Sequence, residues 1–326
     1  MIRYPKVYDI TSKIMQDMGL LDGEVVVEEK IDGSNFRIQI QGDKIKIGSR
    51  RVDDLAEITR EELIVLKDEK MFKKGFNIVF EMREKLFNLL NIYQQDKILL
   101  FCEYLQDKKH NALCYERIPK NYLVLFDVVF EKNGELRHIY KLNDKILKHE
   151  IADYLGIEKI NIMYEGEFKK DLFSKFLKEK SQLGKEIVEG IVIKNYNRHY
   201  PVDLISTKAY KDFALVGKWV REEFKEVLAR EWRGKKAKGN DYEELINSLL
   251  TQARLNKAIM RLKEEGKINN EKRDLAVLIP EFVNDVVDEE KENIKGVLWK
   301  LFFEEFKRKA QRFVVKEYLK KLEESI

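Results

Sequence analysis

The chain has 326 residues, of which 44% are hydrophobic and 37% charged, with a formal net charge of +4. That length holds two domains or one large one, and the apolar share builds a real core, which excludes a disordered chain. So small a net charge neither demands nor excludes a nucleic-acid partner, because a local basic groove fits inside a balanced total.

In chain order, β-patterned runs rich in Val, Ile, Phe and Tyr are predicted at 24–30, 36–41, 44–49, 98–104, 123–130 and 187–194. Gln41-Gly42-Asp43 reads as a hairpin turn between two of them, and Asn133-Gly134 as another turn after the fifth. Helical segments are predicted at 61–70, 141–155 and 168–181. The first two-thirds is therefore expected to be α+β with mostly antiparallel strands. RGKKAKGN, from Arg233 to Asn240, then reads as a basic linker. Beyond it the pattern is helical. Asp241 and Glu244 form an expected N-cap and capping-box partner. Leu245, Leu249, Ala253 and Met260 recur at helical steps, and Gly266 ends that helix. A second helix is predicted at 272–289, with Pro280 as a kink or break. A third is predicted at 294–322, where Leu298, Leu301, Phe302, Phe306 and Phe313 make an apolar face that reads as internal core. The expected domains are 1–232 and an all-α domain at 236–326.

The two cysteines, Cys102 and Cys114, form no C-x-x-C pair, and the four histidines are scattered. No zinc site is expected, and free thiols in a cytoplasmic protein are the default. MIRYPKVYDITSK carries no apolar signal region, and no apolar run of about 18 residues exists, so no membrane association is expected.

EEKIDGSNFR, from Glu28 to Arg37, raises the functional question. A lysine at a strand end is ordinarily a solvated surface residue. Lys30, however, closes a strand and precedes Asp32-Gly33, a turn that would leave it at the rim of a sheet. A nucleophilic lysine must shed its proton, which a pKa of about 10.4 opposes near neutrality. Desolvation or neighbouring cations are needed to lower it. Candidates recur downstream: Glu189-Gly190 followed by Lys194, then Lys218-Trp219-Val220, and earlier Arg50 after the first hairpin. Each alone is a surface charge. Their joint order is what carries the signal.

That set resembles the covalent nucleotidyltransferase superfamily of ATP-dependent DNA and RNA ligases and mRNA capping enzymes. It is most similar to RNA ligases of the RNA ligase 2 type. Glu29-Lys30 with Asp32, Gly33, Asn35 and Phe36 is similar to the family's first motif, and Ser49-Arg50 to the next. Phe101 to Glu103 resembles the third, and Leu125-Phe126 the strand with an adenine-stacking aromatic. Glu189 to Lys194 resembles the fourth motif and Lys218 to Val220 the fifth. Lys109-His110-Asn111 is similar to a further RNA-ligase block with no assigned role. The resemblance covers about residues 1–226.

It implies an antiparallel-sheet nucleotidyltransferase domain, ATP-grasp-like, followed here by the all-α domain. The implied reaction has Lys30 attack the α-phosphate of ATP, giving a lysyl–AMP phosphoramidate. AMP then passes to an RNA 5′-phosphate, and a 3′-OH displaces it. Lys194, Lys218 and Mg²⁺ or Mn²⁺ would stabilise the phosphoryl charge and depress the Lys30 pKa. Glu189 and Glu103 are the implied metal-side carboxylates. Arg50 would contact ribose or the 5′-phosphate, and Phe126 would stack on adenine. Glu29 and Asn35 would shape the surroundings of the metal and 3′-OH. Asn35 favours RNA ligases over DNA ligases.

Two departures stand out. The fifth motif often has a second lysine where this chain has Val220, for which Lys208 or Lys211 are substitutes. The tail is helical, where DNA ligases and capping enzymes usually carry an OB-fold barrel. The helical domain could guide RNA ends, contact tRNA or form a homodimer. DNA ligase, capping guanylyltransferase and a non-catalytic RNA-binding module on a ligase fold are the competing readings.

Overall fold

The computed structural model describes residues 1–67, 70–108, 113–169, 172–176, 178–200, 212–221 and 241–323. In chain order the elements are β1 (Tyr8–Asp9), α1 (Lys13–Asp17), β2 (Glu24–Lys30), β3 (Ser34–Gln41), β4 (Lys44–Ser49), β5 (Ala56–Ile58) and β6 (Leu63–Val65). Then come α2 (Lys73–Glu81), α3 (Arg83–Tyr93), β7 (Lys97–Tyr104), β8 (Leu123–Lys132), β9 (Glu135–His138), β10 (Lys141–Leu142), β11 (Lys145–Ile146) and α4 (Leu147–Leu155). β12 (Glu158–Lys159), β13 (Ile162–Glu167), α5 (Leu172–Phe176), β14 (Gly190–His199) and β15 (Ala214–Val220) complete the α+β part. The tail holds α6 (Asp241–Leu249), α7 (Gln252–Glu264) and α8 (Leu275–Glu323).

The strands form a five-stranded sheet ordered β1-β15-β14-β2-β13 and an eight-stranded one ordered β12-β8-β7-β3-β4-β5-β6, with β9 on β8. Pairing is antiparallel except at β1/β15 and β12/β8. Period-two alternation explains the burial. Phe36, Ile38 and Ile40 of β3 enter a core with Ile98 and Leu100 of β7, Phe76 and Val79 of α2 and Leu86 of α3. A second core joins Val25, Val27, Ile191, Ile193 and Leu215 of the five-stranded sheet to Met15 and to Leu99, Phe101 and Val129 of the other sheet.

Several local expectations change. Residues 61–67 are not helical: Leu63, Ile64 and Val65, β-branched or bulky, pair as an edge strand with β5. The helix expected over 141–155 starts only at Leu147, because Asn143 and Asp144 take positive φ (51° and 64°) and turn β10 into β11. Its end is legible, since Gly156 adopts φ 77° beyond Leu155. The expected helix over 168–181 shrinks to α5. The fourth-motif strand lies later than expected, from Gly190 to His199, so Glu189 sits just before it.

Contacts divide the chain into two compact units, Met1–Phe224 with Glu264–Gly266, and Lys225–Lys263 with Lys267–Ile326. In the second unit the expected first helix is split into α6 and α7. The Thr251 hydroxyl between them accepts from the Arg254 N–H at 3.2 Å and starts α7 afresh. The two helices expected over 272–322 are one, running through Pro280 and Gly296. Pro280 lies in the second turn, where it removes one backbone hydrogen bond without breaking the helix. Buried Arg254 joins α7 to α8 through Asp285 at 2.9 Å and Glu290 at 3.1 Å. The Phe-rich face is not core: Trp299, Phe302, Phe306 and Phe313 are 62%, 60%, 53% and 65% exposed. The side chains of Asp241, Glu244, Ala253 and Leu301, and the linker 233–240, lie outside the described residues. Among the described residues no helix is long and apolar enough to cross a membrane.

Candidate active site

Strand register builds the site. Gly190 of β14 pairs with Lys30 on one side and Val220 of β15 on the other, and Val192 pairs with Glu28 and Lys218. Directly paired residues share a face, so Glu28, Lys30, Lys194 and Lys218 line one face of the five-stranded sheet. After Lys30 the chain crosses at Ile31-Asp32-Gly33 into β3 of the other sheet. There Asn35 pairs with Glu103 of β7. Lys30 thus sits where the chain passes between sheets.

The crossing is pinned. The Asp32 N–H donates to the Tyr115 hydroxyl at 2.7 Å, and the Asp32 carboxylate accepts from the Leu113 N–H at 3.0 Å. Gly33 leaves room for Glu103: a Cβ there would lie 2.8 Å from Leu105 Cδ1 and 3.2 Å from Glu103 Oε2. At Gly190 a Cβ would lie 2.3 Å from the Trp219 carbonyl oxygen. The glycine lets β15 approach β14 at the level of Lys30.

Lys30 Nζ donates to Glu189 Oε2 at 2.6 Å. Burial alone would lower the Lys30 pKa, but Glu189, Asp32 and Glu103 outweigh it and raise the pKa above its ordinary value. This corrects the expected depression by cations. The groups facing Lys30 are carboxylates, and Lys194 is engaged elsewhere. Burial pushes the Glu103 carboxyl up to about 8, with Lys30 opposing and Glu189 and Asp32 adding to the rise. Burial likewise lifts Glu29 to about 7, against the Gln182 N–H, which donates to it at 2.9 Å. Lys218 and Lys30 both draw the Glu189 carboxyl down, yet burial keeps it raised. Arg50 is exposed and acts electrostatically on Glu103.

Among the described residues, Glu29 Oε1, Asn35 Oδ1 and Glu103 Oε2 are buried and accept no hydrogen bond. Acceptors left so are costly unless something arrives to use them. Among the described residues no group of three or more His, Cys, Asp and Glu side chains could by itself hold a metal. Glu103 and Glu189, which act on each other electrostatically, offer the carboxylate oxygens a hard cation takes, with Glu103 Oε2 accepting no hydrogen bond among the described residues.

Lys194 and Phe126 are placed apart from this group. Lys194 Nζ, on a side chain 1% exposed, lies 2.8 Å from both Glu28 Oε2 and Asp127 Oδ2 and donates to the Phe126 carbonyl at 2.8 Å. Phe126 is the extra residue of a bulge in which Phe101 faces Asp127 and Cys102 faces Leu125. Its ring is partly exposed, edge-on to Tyr4 at 5.2 Å. Sequence reasoning missed Glu28, Asp127, Lys148, His138, Tyr115 and Tyr196. For Glu28, Asp127 and Lys148 the available signal was a charge among apolar neighbours, since such a residue must find a partner. Lys109, His110, Asn111, Lys208 and Lys211 lie outside the described residues.

The chain has 13% identity to a Naegleria gruberi RNA ligase solved with PPi, with a TM-score of 0.46. A variant of that enzyme solved with ATP and Mn gives 14% and 0.46. Either match covers 68% of this chain and 57% of the other, so the chain spans little more than half the length of those relatives. No curated protein sequence matches it. The family model described as RNA ligase matches residues 23–220, from the start of β2 to the end of β15. That span takes in Lys30, Glu103, Phe126, Glu189, Lys194 and Lys218, and the chain belongs to the RNA ligase family.

Proposed function

We propose that this chain is an ATP-dependent RNA ligase, nearest the RNA ligase 2 type. In this reading it seals a 3′-OH to a 5′-phosphate through AMP carried on Lys30 and then on the RNA 5′ end. The observation that carries the reading is the Lys30–Glu189 hydrogen bond of 2.6 Å, set among buried unused acceptors within the family match.

Lys30 starts as an ammonium ion. It loses one proton before attack and a second as the nitrogen–phosphorus bond forms, while pyrophosphate leaves. Glu189 is the hydrogen-bonded group able to take the first proton. Lys218, on the same sheet face, is the cation assigned to the developing phosphoryl charge. Arg50 is assigned to ribose or the incoming phosphate, and Glu29 and Asn35 to the 3′-OH side. A divalent cation held by Glu103 and Glu189 would supply further charge neutralisation. Phe126 stacks on adenine.

The 1–232 segment is read as the adenylyltransferase and the 236–326 segment as an RNA-contacting domain. Between Lys295 and Lys316 the sequence carries seven Lys and Arg against two Glu. Exposed aromatic rings interleave them, a combination that suits the phosphates and bases of single-stranded RNA. A homodimer seam on this half-helix would bring like charges together, which favours RNA over a second copy.

The test is retention of label. Incubated with Mg²⁺ and α-labelled ATP, the chain should carry AMP through a denaturing gel, and Lys30→Ala should carry none. Label from GTP alone would move the assignment to a capping enzyme. No label from either nucleotide overturns the enzymatic reading.

A further inference from the structure

Behind Phe126 lies a buried ionic cluster that includes Lys148 of α4, a residue outside all of the motifs. Its side chain is 3% exposed, and its Nζ pairs with Glu28 Oε1 and donates to the Phe126 carbonyl at 3.2 Å. That carbonyl therefore receives two ammonium groups, Lys148 and Lys194. The extra residue of a bulge is left out of the strand ladder, and the two lysines occupy the place of the missing ladder donor. Two cations on one acceptor repel, and the cluster is arranged to offset this. Glu28 bridges them, one carboxylate oxygen to each. Asp127 takes Lys194 on Oδ2 at 2.8 Å, with Tyr4 on the same oxygen. On Oδ1 it accepts from His138 Nε2 at 2.7 Å and Tyr196 at 3.3 Å. His138 is itself fixed, because its Nδ1 accepts from the Ala214 N–H at 3.1 Å.

We propose that Lys148, acting with Lys194, is a positioning residue that holds the bulged Phe126 and so sets the affinity of the adenine pocket. Three features support this. The clamp grips backbone, so it fixes where the ring emerges whatever the side chain does. Lys194 Nζ also lies 5.4 Å from the Phe126 ring centroid, a cation–π distance that holds the ring itself. And Glu28, Asp127, Lys148 and Lys194 behind it are buried while Phe126 is partly exposed, as a stacking platform requires. In this arrangement Lys194 serves the nucleobase side of the site. The inference rests on the reading that Phe126 stacks on adenine during Lys30 labelling.

The experiment is the ATP concentration dependence of Lys30 labelling on the full chain. Lys148→Met should raise KM for ATP about tenfold, within the worth of one base–aromatic stack, while kcat changes much less. In a Phe126→Leu background it should add nothing, because both act through one ring. Deleting one buried charge can unfold the chain, so Glu28→Gln with Lys148→Met removes an opposite pair together and is held to the same expectation. Unchanged KM in the folded variants, or effects that add to Phe126→Leu, overturn the clamp while leaving the ligase reading intact. A kcat loss at constant KM in Lys194→Met also overturns it, by returning Lys194 to the reacting phosphate. Absence of label in the unmodified chain overturns both.

Discussion

Acids, not cations, govern the proton on Lys30. Burial favours the neutral amine, yet Glu189, Asp32 and Glu103 hold the ammonium form. A lysine so placed is stored charged, and in the proposed reaction it would pass a proton to Glu189 before attack. The same crowding strains the carboxyls. Glu103 at about 8 and Glu29 at about 7 both lie above the ordinary 4.5 of the unfolded chain. Between 4.5 and these values the native state binds more protons than the unfolded state, so stability falls as pH rises through that window. Their contribution is fully present below 4.5 and gone above about 8. Each group gives a slope of up to about 1.4 kcal/mol per pH unit. The nucleotide-free protein should therefore melt at lower temperature at pH 8 than at pH 5, and Glu103→Gln should flatten the profile. A melting temperature that climbs from pH 5 to pH 8 would contradict this assignment of buried, protonated carboxyls.

At the level of elements, legibility followed the range of the forces involved. β2, β3, β4, β7 and β8 were readable because alternation and β-branched residues are local properties. The extended run at Leu63–Val65 was misread as helix because its charged flanks mimic a helical face, and only pairing with β5 makes it a strand. The long α8 was divided at Pro280 because a sequence does not show that the proline falls in the second turn. Within the site, Lys30 and Glu189 were singled out by motif, but their register was not. Lys30 faces Gly190, 160 positions further along the chain, and nothing local sets that pairing. The buried Glu28–Lys148 pair was hidden for the same reason. Gly190 turns register into a prediction. A Cβ at that position meets the Trp219 carbonyl oxygen at 2.3 Å and Val220 Cα at 2.8 Å, both backbone atoms that cannot rotate away. Gly190→Ala should force β15 from β14, costing about 1–3 kcal/mol by overpacking. It should also cut Lys30 labelling, since Lys218 moves with β15. Urea unfolding and the labelling assay together check it, and full stability with full labelling would refute the packing argument.

At the scale of the whole molecule, charge is distributed along α8 in a way the net value of +4 conceals. From Leu275 to Ile294 the helix carries six acids and one lysine, and from Lys295 to Lys316 seven bases and two acids. The acidic half has a structural use, since Asp285, Glu290 and Glu281 pair with Arg254, Lys257 and Arg261 of α7. The basic half carries the exposed Trp299, Phe302, Phe306 and Phe313. Rings on successive turns stay exposed only at a cost in solvation unless something covers them. In the proposed reading a single strand of RNA would supply bases for the rings and phosphates for Lys307, Arg308 and Lys309. Replacing those three cations with Gln should weaken binding of a 5′-phosphorylated single-stranded RNA and reduce its log–log salt slope by about 2. Phe302→Ala with Phe306→Ala should weaken binding while leaving the slope in place, because stacking releases no counterions. Lys30 labelling should persist in both, as ATP chemistry needs none of these residues. Fluorescence anisotropy across a salt series reads the two effects separately. An unchanged slope in the triple Gln variant would show that the basic half of α8 does not meet the RNA backbone, and a halved molecular mass in the aromatic variant would show that the rings pack on a second copy instead.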